Sequence, residues 1–202
     1  MADLAPSRSA ILELREERQA MAEGYAFLDE KCLAIAGEIV RELARYEALA
    51  ARVRESSREA ARALADALAR HGLAELRDYP VPGEPGPAPG WRVRSVMGVR
   101  IAQGTLVPGS GAPPQPGWGS PEAVACREAF ERLLAHAPAL AGSVGNLERL
   151  SEEYRRSSRR ARALDDVLIP EASVAIETLE TGLEDLERED AVSMRLGARA
   201  GA

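Results

Sequence analysis

The sequence contains few of the residues from which thick hydrophobic cores are built. Aromatic residues make up only 4% of its 202 residues, whereas charged residues make up 29%. Alanine, leucine, arginine and glutamate dominate instead. This composition is typical of long helices and coiled coils, whose cores are one side chain deep, and it disfavours a large globular core.

Cysteine and long apolar runs are also scarce. Two cysteines, Cys32 and Cys126, are too few for a disulfide-stapled secreted domain, and both lie in helix-like segments. No apolar run approaches the roughly 18 to 20 residues that cross a bilayer, and "MADLAPSRSA" lacks the basic-then-apolar order of a signal peptide. We therefore expect a cytoplasmic protein that is peripheral to any membrane, with no direct membrane insertion.

The residues of common active sites are missing as well. The two histidines, His71 and His136, have no neighbours in sequence that suggest a metal site or a catalytic triad. No GxxxxGK[ST] phosphate-binding loop is present, and the single lysine, Lys31, lies in a helix-like segment. We therefore expect no catalytic residue, no cofactor and no metal, and predict that the chain is not itself an enzyme.

Basic residues are fewer than acidic ones, since the chain has 26 lysines and arginines, 32 aspartates and glutamates, and a net charge of -6. This balance speaks against general nucleic-acid binding, which needs a basic surface. A local arginine cluster at 155–162 includes Arg159 and Arg160. It either grips an acidic partner or forms a solvated face that pairs with Glu152 and Glu153, and the sequence does not favour one interpretation over the other.

Apolar residues of the N-terminal segment, from Ile11 to Val53, fall on two interleaved seven-residue tracks, the pattern of a coiled-coil seam. One track is Leu14, Met21, Leu28, Ile35 and Leu49, and the other is Ile11, Tyr25, Cys32, Ile39, Tyr46 and Val53. Two charged residues, Arg18 and Glu42, occupy seam positions.

The middle of the chain, from Asp78 to Gly119, is rich in proline and glycine and is not helical by composition. Within it, "WRVRSVMGVRIAQGTL" alternates apolar and polar residues around Gly98, which predicts a small β-hairpin. Helix is expected to resume at Ser120, with pauses at Pro138 and near 142–145.

The C-terminal helix is predicted to carry its own seam, interrupted by Pro170. Before the proline the predicted track is Leu147, Tyr154, Ala161 and Leu168. After it, Ile169, Ile176 and Leu183 alternate with Ala172, Leu179 and Leu186. The helix is expected to bend near 167–169 and to change register there.

The predicted fold is all-α: a long antiparallel two-helix coiled coil made by the N- and C-terminal helices, with a short helical and small β-hairpin middle segment. The predicted division is an N-terminal coiled-coil helix at 1–75, linkers with the hairpin at 76–119, and a short helix with the long C-terminal helix at 120–202.

Four segments together resemble one protein family. "RRARALDDVLIP" (159–170) resembles the "RRVNALE…IP" signature of the D subunit of V-type and archaeal A-type rotary ATPases, and "LEDLERED" (183–190) resembles the segment that follows it. "SVMGVRI" (95–101) is similar to the family's central "NIMGV.V" motif, and 5–31 is similar to its start. In that start the matching residues are Pro6, Arg8, Leu12, Gly24, Leu28 and Lys31.

The resemblance implies a central rotor shaft that transmits torque between ATP hydrolysis or synthesis in a catalytic head and ion translocation through a membrane ring. The implied partners are the hexameric head of A and B subunits, the F subunit of the rotor and the C/d socket of the ring. A coiled-coil stalk protein of a flagellar or type III export ATPase, or a general coiled-coil scaffold, is the alternative. A simple two-helix stalk does not need the hairpin.

Candidate partner-interface residues follow from the motifs, from the arginine cluster and from the tips that the family places inside the head. Arginine suits such contacts because its planar head forms forked hydrogen bonds to carboxylates and carbonyls. The candidates are Pro6, Arg8, Arg15, Met97, Gly98, Val99, Arg159, Arg160, Arg188 and Arg195.

Overall fold

The computed structural model of the chain describes residues 7–77, 86–109 and 119–200. It contains α1 (Arg8–Arg77), β1 (Ala88–Val96), β2 (Val99–Val107), α2 (Pro121–Ala163), a π-helical turn (Leu164–Leu168) and α3 (Ile169–Ala200). The predicted fold class is confirmed, since helices dominate and the two strands form an antiparallel hairpin between them in chain order. In the part of the chain that the structure describes, no helix has the length and apolar character needed to cross a membrane.

The chain divides into two compact units. Unit 1 combines Met1–Leu33 with Tyr154–Ala202, and unit 2 is the continuous stretch Ala34–Glu153.

Unit 1 pairs the start of α1 with α3 in antiparallel fashion. Arg8 Nη2 donates to Glu187 Oε1 over 2.8 Å, and Arg15 Nη2 donates to Glu180 Oε1 over 2.5 Å. Between the two ion pairs the position advances by one heptad on α1 and retreats by one heptad on α3, as antiparallel helices require. The helix begins after Ser7, whose Oγ accepts the N–H of Ala10 as an N-cap does.

The seam predicted for α1 is confirmed with one exception. Every apolar position of the two tracks is buried or half-buried, and Ile35 is completely buried. Glu42, the charged residue predicted in the seam, is only 4% exposed, whereas Arg18 is exposed. A long arginine can reach solvent from the edge of a seam, so its charge remains hydrated.

The seam predicted for α2 is partly wrong. Tyr154 and Leu168 are 38% and 40% exposed, and three of the buried α2 positions are instead the small or polar residues Ser143, Asn146 and Ser157. With Leu150, these three are spaced by three, four and seven residues, which is still a heptad pattern. A search for apolar residues alone therefore selects the neighbouring face of the helix.

The π turn explains why Leu168 is exposed. The backbone N–H of Ile169 donates to the carbonyl of Leu164, five residues earlier, so this turn holds one residue more than an α-helical turn. The seam consequently passes from Leu164 to Ile169 and continues to Ala172 and Ile176. The predicted change of register near Pro170 is confirmed. The extra residue in the π turn shifts the seam by one position along the chain.

Beyond the proline the predicted seam is confirmed except at its last position. Five of the six predicted residues are buried or half-buried, whereas Leu186 is exposed. Leu186 lies near the position that pairs with the start of α1, where few residues of α1 remain to cover it.

Unit 2 packs the hairpin against α1 and α2. A two-residue turn joins the strands, with Met97 at φ 48° and Gly98 at φ 83°, the left-handed geometry that matches the twist of a hairpin. Val99 and Ile101 of β2 form a core cluster with Ile35 of α1 and Leu150 of α2. The hairpin is thus part of the hydrophobic core of unit 2.

The pauses expected in α2 are wrong, because the helix is continuous through Pro138, Gly142 and Gly145. Its backbone at Pro138 and Gly142 lies directly against β2. Absence of a side chain at Gly142 permits this approach, so the glycine serves packing within a helix.

Candidate functional site

Contacts between the hairpin and the two helices of unit 2 converge on a polar group, buried except for its arginine, that we call the hairpin dock. It consists of Glu38 and Glu42 of α1, Arg94 of β1, Ala102 of β2 and Asn146 of α2. Three of its members, Glu38, Glu42 and Asn146, are 4%, 4% and 0% exposed. Buried polar groups at the meeting point of four elements fix how those elements are oriented.

Asn146, the single asparagine of the chain, is the centre of the hairpin dock. Its Oδ1 accepts the N–H of Ala102, and its Nδ2 donates to the carbonyl of Ala102, each over 2.8 Å. The second donor of Nδ2 reaches Glu42 Oε1 at 3.3 Å, and Oδ1 also accepts from Arg149 Nη2 at 2.7 Å. A carboxamide has two donor hydrogens and two acceptor lone pairs, so all its hydrogen-bonding capacity is used.

Glu38 joins α1 to β1 through ion pairs. Its carboxylate accepts from Arg41 Nη2 at 2.6 Å and from Arg94 Nη2. Burial opposes ionisation of this carboxyl, but the hydrogen bonds from Arg41 and Arg94 outweigh burial, so the pKa of Glu38 lies below its ordinary value of 4.5. Glu38 therefore remains charged at neutral pH and holds Arg94 against α1.

Two glycines bring backbone onto backbone where α2 meets β2. A Cβ added to Gly104 would lie 2.2 Å from the carbonyl oxygen of Pro138 and 2.9 Å from Trp91 Cζ3. A Cβ on Gly142 would lie 3.1 Å from the carbonyl oxygen of Ala102. The hairpin and α2 are therefore in direct contact, and Gly104 has no space for a side chain.

A second polar group links α1 to the start of α2. His71 Nδ1 lies 3.2 Å from Glu75 Oε2, and His71 Nε2 lies 2.5 Å from Ser120 Oγ. This is the order of groups in a serine-hydrolase triad. Ser120 Oγ, however, accepts the N–H of Ala123 at 3.1 Å as the N-cap of α2, and Ser120 is only 8% exposed. The arrangement caps a helix and ties its start to the C-terminal end of α1.

The predicted interface residues of unit 1 are mostly exposed and partly paired within the chain. Arg8 and Arg15 pair with Glu187 and Glu180, whereas Arg188 pairs with Glu184 and Asp185 on its own helix. Arg195, Arg159 and Arg160 are exposed. Pro6 lies outside the described residues.

The three candidates in unit 2 are consecutive residues at the hairpin turn. Met97 is 38% exposed and Gly98 is exposed, but Val99 is only 6% exposed because it lies in the core of its own unit. The interface role assigned to all ten candidates stays a prediction.

Sequence reasoning missed Glu38, Arg94, Gly104 and Asn146. The one signal available for Asn146 is a lone amide at heptad spacing from Leu150 and Ser157, and polarity alone would assign such a residue to the surface. Glu38 and Arg94 are 56 residues apart, and no local pattern joins them. Among residues 7–77, 86–109 and 119–200, no group of three or more histidine, cysteine or carboxylate side chains is placed to hold a metal ion.

Comparison with known proteins gives a family that fits this architecture. The family of the ATP synthase D subunit matches residues 10–196. The D subunit of a V-type ATP synthase from Anaeromyxobacter dehalogenans (strain 2CP-C) is 30% identical over 203 residues, covering 96% of this chain and 95% of that protein. The D subunit of an A-type ATP synthase from Pyrococcus furiosus is 26% identical over 189 residues, covering 92% and 88%. Since the match includes both compact units and the hairpin, the chain belongs to the ATP synthase D subunit family.

Proposed function

We propose that this chain is the central shaft of a V/A-type rotary ATP synthase and transmits torque between the catalytic head and the ion-translocating membrane ring. In this role it is non-catalytic. Its partners are the hexameric head of A and B subunits, the F subunit of the rotor and the C/d socket of the ring, and it lies on the cytoplasmic side, peripheral to the membrane. The single observation that carries the proposal is the family match from residue 10 to residue 196.

The pairing within unit 1 supports this role. Torque can pass along two helices only if they do not slide past each other, and a seam of interlocking side chains resists sliding. Ile11 of α1 and Ile176 of α3 are 6% and 5% exposed, so both belong to such a seam. The ion pairs of Arg8 and Arg15 lie at its rim, where exposed pairs typically contribute only about 0.2–1 kcal/mol each.

The exposed side of the tip supports contacts with a surrounding head. Met194 and Leu196 are 73% and 61% exposed, and Arg195 lies between them. Many weak contacts suit a rotating part, because one strong contact would stall rotation at a single angle. The hairpin, whose Val99 and Ile101 form part of the core, favours a shaft subunit over the two-helix stalk of an export ATPase.

Truncation after Leu183 tests the proposal in the assembled complex. The truncated chain loses Arg188, Arg195 and the partner of Arg8, Glu187. We expect a severe loss of assembly with the head or of ATP-driven ion pumping in reconstituted vesicles. Arg8→Ala, which removes the same exposed ion pair but leaves the tip in place, is the matched control and should change the ATPase rate only modestly. Full assembly with full coupling of the truncated chain would reject the shaft proposal.

A further inference from the structure

The two edges of the hairpin differ in how they are covered. Along the outer edge of β2, the carbonyl of Arg100 accepts Arg149 Nε at 2.9 Å, and both backbone groups of Ala102 pair with Asn146. At the next outward residue, Gly104, the backbone of Pro138 lies in direct contact. Helix α2 therefore occupies the edge of β2 at three successive outward positions.

None of the residues that the structure describes covers the outer edge of β1 in this way. Because Val96 pairs with Val99 across a two-residue turn, the outward groups of β1 are the N–H and C=O of Trp91, Val93 and Ser95 and the C=O of Pro89. The sheet has two strands, and within the described ranges no further backbone hydrogen bond reaches this edge. Val93 is 51% exposed, so an apolar side chain stands beside the open backbone groups, whereas the ring of Trp91 reaches across Gly104 toward α2.

The hairpin is also basic in an acidic protein. Residues 86–109 contain Arg92, Arg94 and Arg100 and no aspartate or glutamate, whereas the whole chain has a net charge of -6. Arg94 pairs with Glu38, while Arg92, on the same face of β1, is exposed. An open strand edge is a template for another strand, and this one selects by charge for an acidic strand.

We propose that the outer edge of β1 binds an extended acidic segment of a partner protein as a third strand. Backbone groups of Trp91, Val93 and Ser95 pair with that segment. Because successive side chains of a strand point to opposite faces, a segment with alternating carboxylates and apolar residues places its acids beside Arg92 and an apolar side chain beside Val93. The proposal goes beyond the shaft role and rests on the geometry and charge of the hairpin alone.

A synthetic peptide of alternating glutamate and valine, added to the full-length chain, tests strand addition. We expect the peptide to slow hydrogen exchange at the amides of Trp91, Val93 and Ser95. Val93→Pro removes an outward N–H without breaking the ladder between β1 and β2, so it should weaken binding about tenfold. Val93→Thr retains the N–H and the strand propensity and should weaken binding much less than Val93→Pro does.

Charge selection is tested with a peptide of alternating lysine and valine and with Arg92→Gln. We expect the lysine peptide to bind at least about tenfold more weakly at low salt, and Arg92→Gln to reduce the salt dependence of glutamate-peptide binding. Arg62→Gln, at an exposed position on α1, is the matched control for the loss of one positive charge. Equal binding of both peptides would overturn the acidic specificity.

Three results would overturn strand addition itself. Unchanged exchange at all three amides with about 1 mM glutamate peptide, a concentration at which even weak edge pairing is populated, would be the first. Slow exchange at these amides in the free chain, insensitive to peptide, would mean that the edge is already occupied. Protection that rises with protein concentration without peptide would identify a second copy of the chain as the occupant.

Discussion

Asn146 forms hydrogen bonds to both the N–H and the carbonyl of Ala102, each over 2.8 Å, so one side chain occupies an edge position as a neighbouring strand would. The pairing explains how a helix can cover a strand edge at Ala102 without leaving the backbone groups of that residue unsatisfied. Because Nδ2 of Asn146 donates to the carbonyl of Ala102, replacing that one nitrogen with oxygen should lower the stability of the fold.

Asn146→Asp should destabilise unit 2, although it leaves the shape of the side chain almost unchanged. The substitution replaces two donors with a carboxylate that faces the carbonyl of Ala102 and the carboxylate of Glu42. We expect the free energy of unfolding to fall by about 2–4 kcal/mol in urea titrations. Adding Glu42→Gln should recover part of that loss, because an amide at position 42 can donate to the new carboxylate. A double variant no more stable than Asn146→Asp alone would contradict the contact with Glu42.

Two glycine-to-alanine substitutions should have opposite effects on the stability of the folded chain. Gly104→Ala places a Cβ 2.2 Å from the carbonyl oxygen of Pro138, so α2 or the hairpin must shift, at a cost of about 3 kcal/mol. Gly37→Ala meets only Arg41 Nη1 at 3.6 Å and should stabilise α1 by about 1 kcal/mol. Thermal unfolding of both variants checks the prediction, and equal shifts would argue against the backbone contact at Gly104.

The pH dependence of stability should include a contribution from Glu38. Because its pKa is lowered in the folded chain, the contribution is present above the ordinary pKa of 4.5 and is lost as the pH falls through the folded value. Glu38→Gln should therefore flatten the fall of the melting temperature below about pH 4.5. Glu47→Gln, at an exposed position on the same helix, is the control and should leave the fall unchanged. If the melting temperature fell with pH in parallel for the unaltered chain, Glu38→Gln and Glu47→Gln, the contribution assigned to Glu38 would be refuted.

The π turn and Pro170 should be coupled. Deleting Asp166 removes the one extra residue and restores an α-helical turn, which places Pro170 in the interior of a regular helix at a cost of about 3 kcal/mol. Adding Pro170→Ala to the deletion should recover that cost, whereas Pro170→Ala alone should have a smaller effect. Urea titrations of the three variants measure the coupling, and purely additive effects would show that the turn and the proline are independent.

The sequence predicts those features that depend on apolar spacing or on turn chemistry. The α1 seam is detectable because its buried residues are mostly apolar, and the hairpin because residues 91–101 alternate around Gly98. The α2 seam escapes detection because Ser143, Asn146 and Ser157 are polar or small, and hydrophobic periodicity does not register them.

The hairpin dock cannot be predicted from local sequence patterns, for a different reason. Asn146 and Ala102 are 44 residues apart, and Glu38 and Arg94 are 56 apart. Each residue alone is an ordinary residue in a polar sequence, and its burial follows from how α1, α2 and the hairpin pack. Pro170 predicts an interruption of the helix, but sterics alone do not decide between a bend and a widened turn.

The π turn also determines how related chains must be matched to this one. Leu164 and Ile169 are both seam residues although five positions separate them, whereas an uninterrupted α-helix separates such residues by three or four. A relative whose helix lacks the widened turn can be superposed residue by residue only with a one-position gap between Leu164 and Ile169. Without that gap, buried residues on one side of the turn would be equated with exposed residues of the other chain.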